Sequence, residues 1–188
     1  MILEAVDLSD FFEEFSVVRA DRLKQEAKQQ ERLKELANEL DNPDASMIDR
    51  FIDDHKYRAK MLRMLSKFSV HLISGFVSFL NTCIDETWTR SEPSGAFEGY
   101  NQNLTLILDI LTTFPVGKFP PALFQTAAYG LERVAYYIGD RAGQSWAAKN
   151  TWDQRKNELT NEMIEGLKSF ARQHRYPDLK NLLKSIAT

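Results

Sequence analysis

Apolar residues recur along this chain at steps of three and four, the period of a helix with one buried side. No run alternates apolar and polar residues, and no Asn-Gly or Asp-Gly pair marks a hairpin turn. The pattern predicts an all-α fold, a helical bundle of about six helices with a long N-terminal αα-hairpin. The first helix begins at Asp7 or Ser9, and Phe11, Phe12, Phe15 and Val18 give it an apolar face. From Arg22 to Glu39 it turns mostly charged, leaving a stripe of Leu23, Ala27, Leu33, Leu36, Ala37 and Leu40. That stripe is narrower than a globular helix needs. Residues 1–42 therefore read as a helical arm, packed on its own domain or forming one strand of a coiled coil. Leu23, Leu33, Leu36 and Leu40 are its candidate partner contacts.

Residues 43–188 read as the bundle. Asn42-Pro43 stops the arm, since proline lacks a donor and disfavours helix in the residue before it. Asp44 or Ser46 caps the second helix, and nothing in the pattern ends it before about Trp88 unless Gly75 bends it. Unbroken, it would be about 65 Å long and would complete the hairpin. Residues 68–84 are apolar nearly all round, as in a central bundle helix or, alternatively, a membrane-inserting hairpin with 104–138. The stretch 89–100 has loop composition, and a short helix spans 103–113 with Asp109 on its exposed edge. Pro120 and Pro121 open the next helix, to Ile138. Ala135, Gly139, Gly143 and Ala147 then recur every fourth residue, as a tight helix crossing or a break. Thr151 and Gln154 have capping-box spacing, which predicts a helix from there to about Tyr176. Trp152, Lys156, Leu159, Met163, Leu167 and Phe170 would be its seam. Pro177 opens a last short helix with Leu179, Leu182, Leu183 and Ile186 on its apolar side.

Charge adds an asymmetry to this picture. The chain of 188 residues has a formal net charge of −3, but residues 1–110 carry −7 and residues 111–188 carry +4. An acidic head and a basic tail attract, within one molecule or between neighbours. Hydrophobic residues at 43% and charged residues at 27% are globular usage and exclude a disordered chain. The single cysteine, Cys83, excludes an internal disulfide and a multi-cysteine zinc site, and it fits a buried thiol in the reducing cytoplasm. Met-Ile-Leu-Glu-Ala-Val-Asp at the start has no basic segment followed by an apolar one and does not read as a signal peptide.

Candidate chemistry is sparse. No phosphate-binding glycine loop occurs, and His55, His71 and His174 lack metal-ligand spacing, so no metal and no cofactor is expected. His71 reads as a core histidine. Arg50-Phe51-Ile52-Asp53-Asp54-His55 is an arginine and a histidine separated by four residues. This hexapeptide resembles the signature of HEPN-type ribonucleases, small all-helical proteins. The resemblance implies Arg50 and His55 in a dimer cleft that cleaves RNA without metal. Arg172, Arg175, Lys180 and Lys184 beside Phe170 and Tyr176 offer an anion or nucleic-acid contact; the other reading is a basic helix end matched to its dipole. The leading expectation is a non-enzymatic helical interaction protein, a small subunit or adaptor, joined to a protein partner or to itself through apolar seams.

Overall fold

A computed structural model describes residues 9–66, 73–91, 97–114, 117, 119–138 and 145–186. Among them every regular element is helical and no strand occurs. The chain divides into two compact units, Met1–Asn42 and Pro43–Thr188.

Among its described residues the first unit is one helix, α1 (Ser9–Asp41), of 33 residues. It ends where Asn42 precedes Pro43. From Val17 to Glu35 every side chain described is exposed; Leu36 and Leu40 are buried.

The second unit opens with α2 (Ala45–Asp53), whose cap is Asp44; its Oδ1 accepts the Met47 N–H at 2.7 Å. The single long helix expected from 44 to 88 is not formed. Three helices occupy its span: α2, α3 (His55–Leu65) and α4 (Ile73–Ser91). The first break is at Asp54, in extended conformation at φ −98°, ψ 96°. Its N–H closes α2 on the Arg50 carbonyl at 3.0 Å. Its carboxylate starts α3 by accepting the N–H groups of Lys56 and Tyr57 at 2.9 and 3.0 Å. One residue thus ends one helix and caps the next. The second arm of the expected hairpin is therefore not one rod. Residues 67–72, with His71, lie outside the described residues. Gly75 lies inside α4.

The centre of the unit is α5 (Phe97–Thr113), not the 68–84 segment. Leu104, Leu106, Ile107, Leu108, Ile110 and Leu111 are all buried, so α5 is enclosed on most of its circumference. By contrast α4 keeps an outer edge at Ser78 and Asp85, while Phe76, Phe79, Leu80 and Cys83 face inward. The loop expected over 89–100 is mostly helix, because α4 runs to Ser91 and α5 begins at Phe97. Trp88 and Tyr100 account for this. Their rings pack at 5.6 Å, and Tyr100 stacks on Tyr137 at 3.9 Å, which draws both helix ends into the core.

Helix α6 (Pro121–Ile138) crosses α5 closely at Gly130. A Cβ built there would lie 2.5 Å from Ile107 Cδ1, so a larger residue would have to displace the tip of that side chain. Helix α7 (Trp146–Arg155) is capped by Ser145, whose Oγ accepts the Ala148 N–H at 3.2 Å. The helix expected from Thr151 to Tyr176 is therefore displaced and divided. Thr151 is inside α7, and its hydroxyl donates to Asn101 Oδ1 at 2.6 Å. A 3-10 turn (Lys156–Glu158) follows, and Thr160 caps α8 (Asn161–Gln173) through the Met163 N–H at 3.2 Å. Of the seam residues, Trp152, Leu159, Met163 and Leu167 are buried inside the unit, and no continuous coiled-coil edge remains. Ala135 and Ala147 belong to different helices, and Gly139 and Gly143 lie outside the described residues. Helix α9 (Pro177–Leu183) closes the unit on Leu179, Leu182, Leu183 and Ile186. Nine α-helices stand among the described residues where about six were expected, because the 44–88 span holds three helices and the 151–176 span is divided before Thr160.

Candidate functional site

The arm residues separate into two groups. Leu23 is 56% exposed, and Val17 and Val18 are exposed to a similar degree. Leu36 and Leu40 are buried. The Leu33 side chain lies outside the described residues.

The Arg50–His55 pair straddles the Asp54 break. Arg50 is in the last turn of α2 and lies 4.4 Å from the centre of the Tyr57 ring, a cation–π contact. His55 is the first residue of α3, and both side chains are exposed. The Tyr57 N–H holds the Asp54 carboxyl below its usual range, with Lys56, Arg50 and His55 adding to the effect.

Behind this break lies a charged network that the sequence did not reveal. Arg58 is 4% exposed. Its Nη1 donates to the carbonyls of Phe51 and Ile52 at 2.9 and 2.7 Å, closing the C-terminal end of α2. Its Nε bonds Asp109 at 2.7 Å, and the other Asp109 oxygen meets Arg155 at 2.9 Å. Asp109 is thus a junction between two arginines rather than a free edge. Arg155 continues to Glu158 at 2.8 Å. Burial opposes the Arg155 charge, but Glu158 and Asp109 outweigh it and hold the guanidinium above its ordinary range. The network joins α2, α3, α5 and α7. Every member is engaged, so its role is architectural.

The basic residues of the tail run from the last turn of α8 (Arg172) through the turn (Arg175) to α9 (Lys180) and its C-cap (Lys184). Helix α8 ends in a Schellman turn: the Tyr176 N–H bonds the Ala171 carbonyl at 2.9 Å, with Arg175 left-handed at φ 57°. Phe170 meets Tyr176 at 5.9 Å, the apolar contact that accompanies such a turn. Arg172, Arg175, Lys180 and Lys184 are exposed.

Two clefts flank α6. One, of about 380 Å³, lies among α6, α7 and α9, with Tyr136 and Leu182 in its walls and the Trp152–Ser185 hydrogen bond of 2.9 Å beside it. The other, of about 490 Å³, is lined by Trp88, Tyr129 and Tyr176, with Arg133 stacked 4.0 Å over Trp88. Trp146, at the start of α7, is 80% exposed, and sequence reasoning missed it because a lone tryptophan reads as core.

Glu132 of α6 replaces the side-chain cap that α9 lacks, accepting the Leu179 and Asp178 N–H groups at 2.6 and 3.4 Å. Burial nevertheless raises its carboxyl above the usual range. A raised carboxyl binds its proton more tightly in the folded state, so its contribution is full below the unfolded pKa and falls as pH rises through the folded one. Wild type minus Glu132→Gln is therefore expected to be more favourable at pH 4 than at pH 7, measured by urea unfolding at both. An equal difference at the two pH values contradicts it.

Among the described residues no group of three or more His, Cys, Asp or Glu side chains is placed to hold a metal ion. No described helix is long and apolar enough to cross a membrane. No protein family, curated protein or solved structure matches this chain.

Proposed function

We propose that the chain is a non-enzymatic helical interaction protein, a small subunit or adaptor whose arm pairs with a protein partner or with a second copy, acting in the reducing cytoplasm. One observation carries this reading. The helix α1 holds its described side chains from Val17 to Glu35 in solvent, Val17, Val18 and Leu23 among them. A lone helix in water is held weakly by propensity alone, and most helical stability comes from packing an apolar face. A long helix that leaves Val17, Val18 and Leu23 uncovered is the form that a partner helix completes. The buried single thiol Cys83 suits a reducing compartment.

Light scattering at several concentrations, on the full chain and on Leu23→Asp, tests this. Assembly that Leu23→Asp weakens supports the reading. A monomer at every concentration, with native-host associations indifferent to that substitution, removes it.

A further inference from the structure

We propose that the α8–α9 corner is a binding track for single-stranded nucleic acid, independent of the arm. Every described lysine and arginine from Trp146 to Lys168 is in an ion pair: Lys149 and Lys156 with Asp153, Arg155 with Asp109 and Glu158, Lys168 with Glu165. The four that follow are not. Arg172, Arg175 and Lys180 are exposed with no ion pair among the described residues, and Lys184 only donates a hydrogen bond to Asn181 at 3.1 Å. Basic charge is thus ion-paired up to the corner, whereas these four cations make no ion pair among the described residues, although Asp178 and the Glu132 carboxyl lie at the start of α9.

The placement of these groups is linear. Tyr176 is the N-cap of α9, Lys180 lies within it and Lys184 is its C-cap, at four-residue steps, while Leu179, Leu182 and Leu183 are buried. From Tyr176 to Lys184 the track runs about 12 Å at ~1.5 Å per residue. Tyr129 extends it from α6, with its ring 6.3 Å from Tyr176 and half exposed. Arg175, next to Tyr176, occupies a left-handed position that glycine would adopt without strain. An aromatic face flanked by cations suits an unstacked base with phosphates on either side. A duplex presents no free base face to Tyr129, so the single strand is the form that uses both features. An acidic peptide could meet the cations but gains no base stacking.

The test is fluorescence anisotropy of labelled dT15, beside a labelled peptide of fifteen glutamates, with the full-length protein. Binding to dT15 is expected to weaken about 50-fold between 50 and 200 mM salt, as four neutralised phosphates at a slope of ~0.7 each require. Lys180→Glu/Lys184→Glu should cost at least tenfold. Tyr129→Ala should cost about fivefold or more for dT15 and nothing for the peptide. Circular dichroism melting confirms that each variant stays folded; all three side chains are exposed. No dT15 binding at 50 mM salt overturns the proposal. So does peptide binding as tight as dT15 binding with Tyr129→Ala weakening neither, which assigns the corner to acidic protein segments.

Discussion

Replacing Arg58 by alanine is expected to lower the free energy of unfolding by about 3–5 kcal/mol, the range for breaking one partner out of a buried ion pair. Three losses combine at this residue. The Phe51 and Ile52 carbonyls lose the donor that closes α2, and a buried acceptor left unmade costs about 1–3 kcal/mol. Asp109 loses one of its two arginines in a half-buried setting. The aliphatic stem of Arg58 leaves a gap among packed helices. Asp109→Asn should be milder, because Arg58 keeps both carbonyls and Arg155 keeps Glu158. Urea unfolding of both single variants and the double variant measures the coupling between them. A loss below about 1 kcal/mol for Arg58→Ala would show that the network does not hold the broken helix in place.

Leu108→Ala should cost about 2–5 kcal/mol, as a fully buried leucine in a packed core does. The figure tests how tightly α5 is packed at this position. Leu108 belongs to α5, enclosed on most sides, whereas Val77 on α4 is half-buried. Val77→Ala should therefore cost distinctly less than Leu108→Ala under the same conditions. Equal losses would contradict the tighter packing of the Leu108 position.

These two results bear on how much the sequence could reveal. Local signals were legible. Asp44 caps α2, the Asn42-Pro43 stop ends α1, and Pro121 and Pro177 open α6 and α9. The apolar side of α9 was readable from period alone. The helix breaks were not, because apolar spacing continues through Asp54 and through 156–160 and gives no sign that a cap intervenes. An aspartate three residues before Tyr57 was the available hint at the first break. The polar network was hidden for another reason. Arg58 and Asp109 are 51 residues apart, and no local pattern pairs them. The polar run at 89–100 misled because Trp88 and Tyr100, one on each side of its centre, are held by a tertiary aromatic cluster rather than by loop chemistry. Of the candidate contacts, the basic tail residues are exposed and follow one another from the last turn of α8 to the C-cap of α9. The arm leucines divided into exposed Leu23 and buried Leu36 and Leu40.

The proposed association stands on the exposed 17–35 stretch of α1, and sedimentation equilibrium tests it most directly. The full chain, as purified and together with the protein it co-purifies with from its native host, is compared with Val18→Asp/Leu23→Asp in each setting. The account predicts a particle heavier than the 21.7 kDa monomer in at least one of them, returning to the monomer mass with the double substitution. A mass of 21.7 kDa throughout, or a heavier particle that the substitution leaves intact, contradicts it.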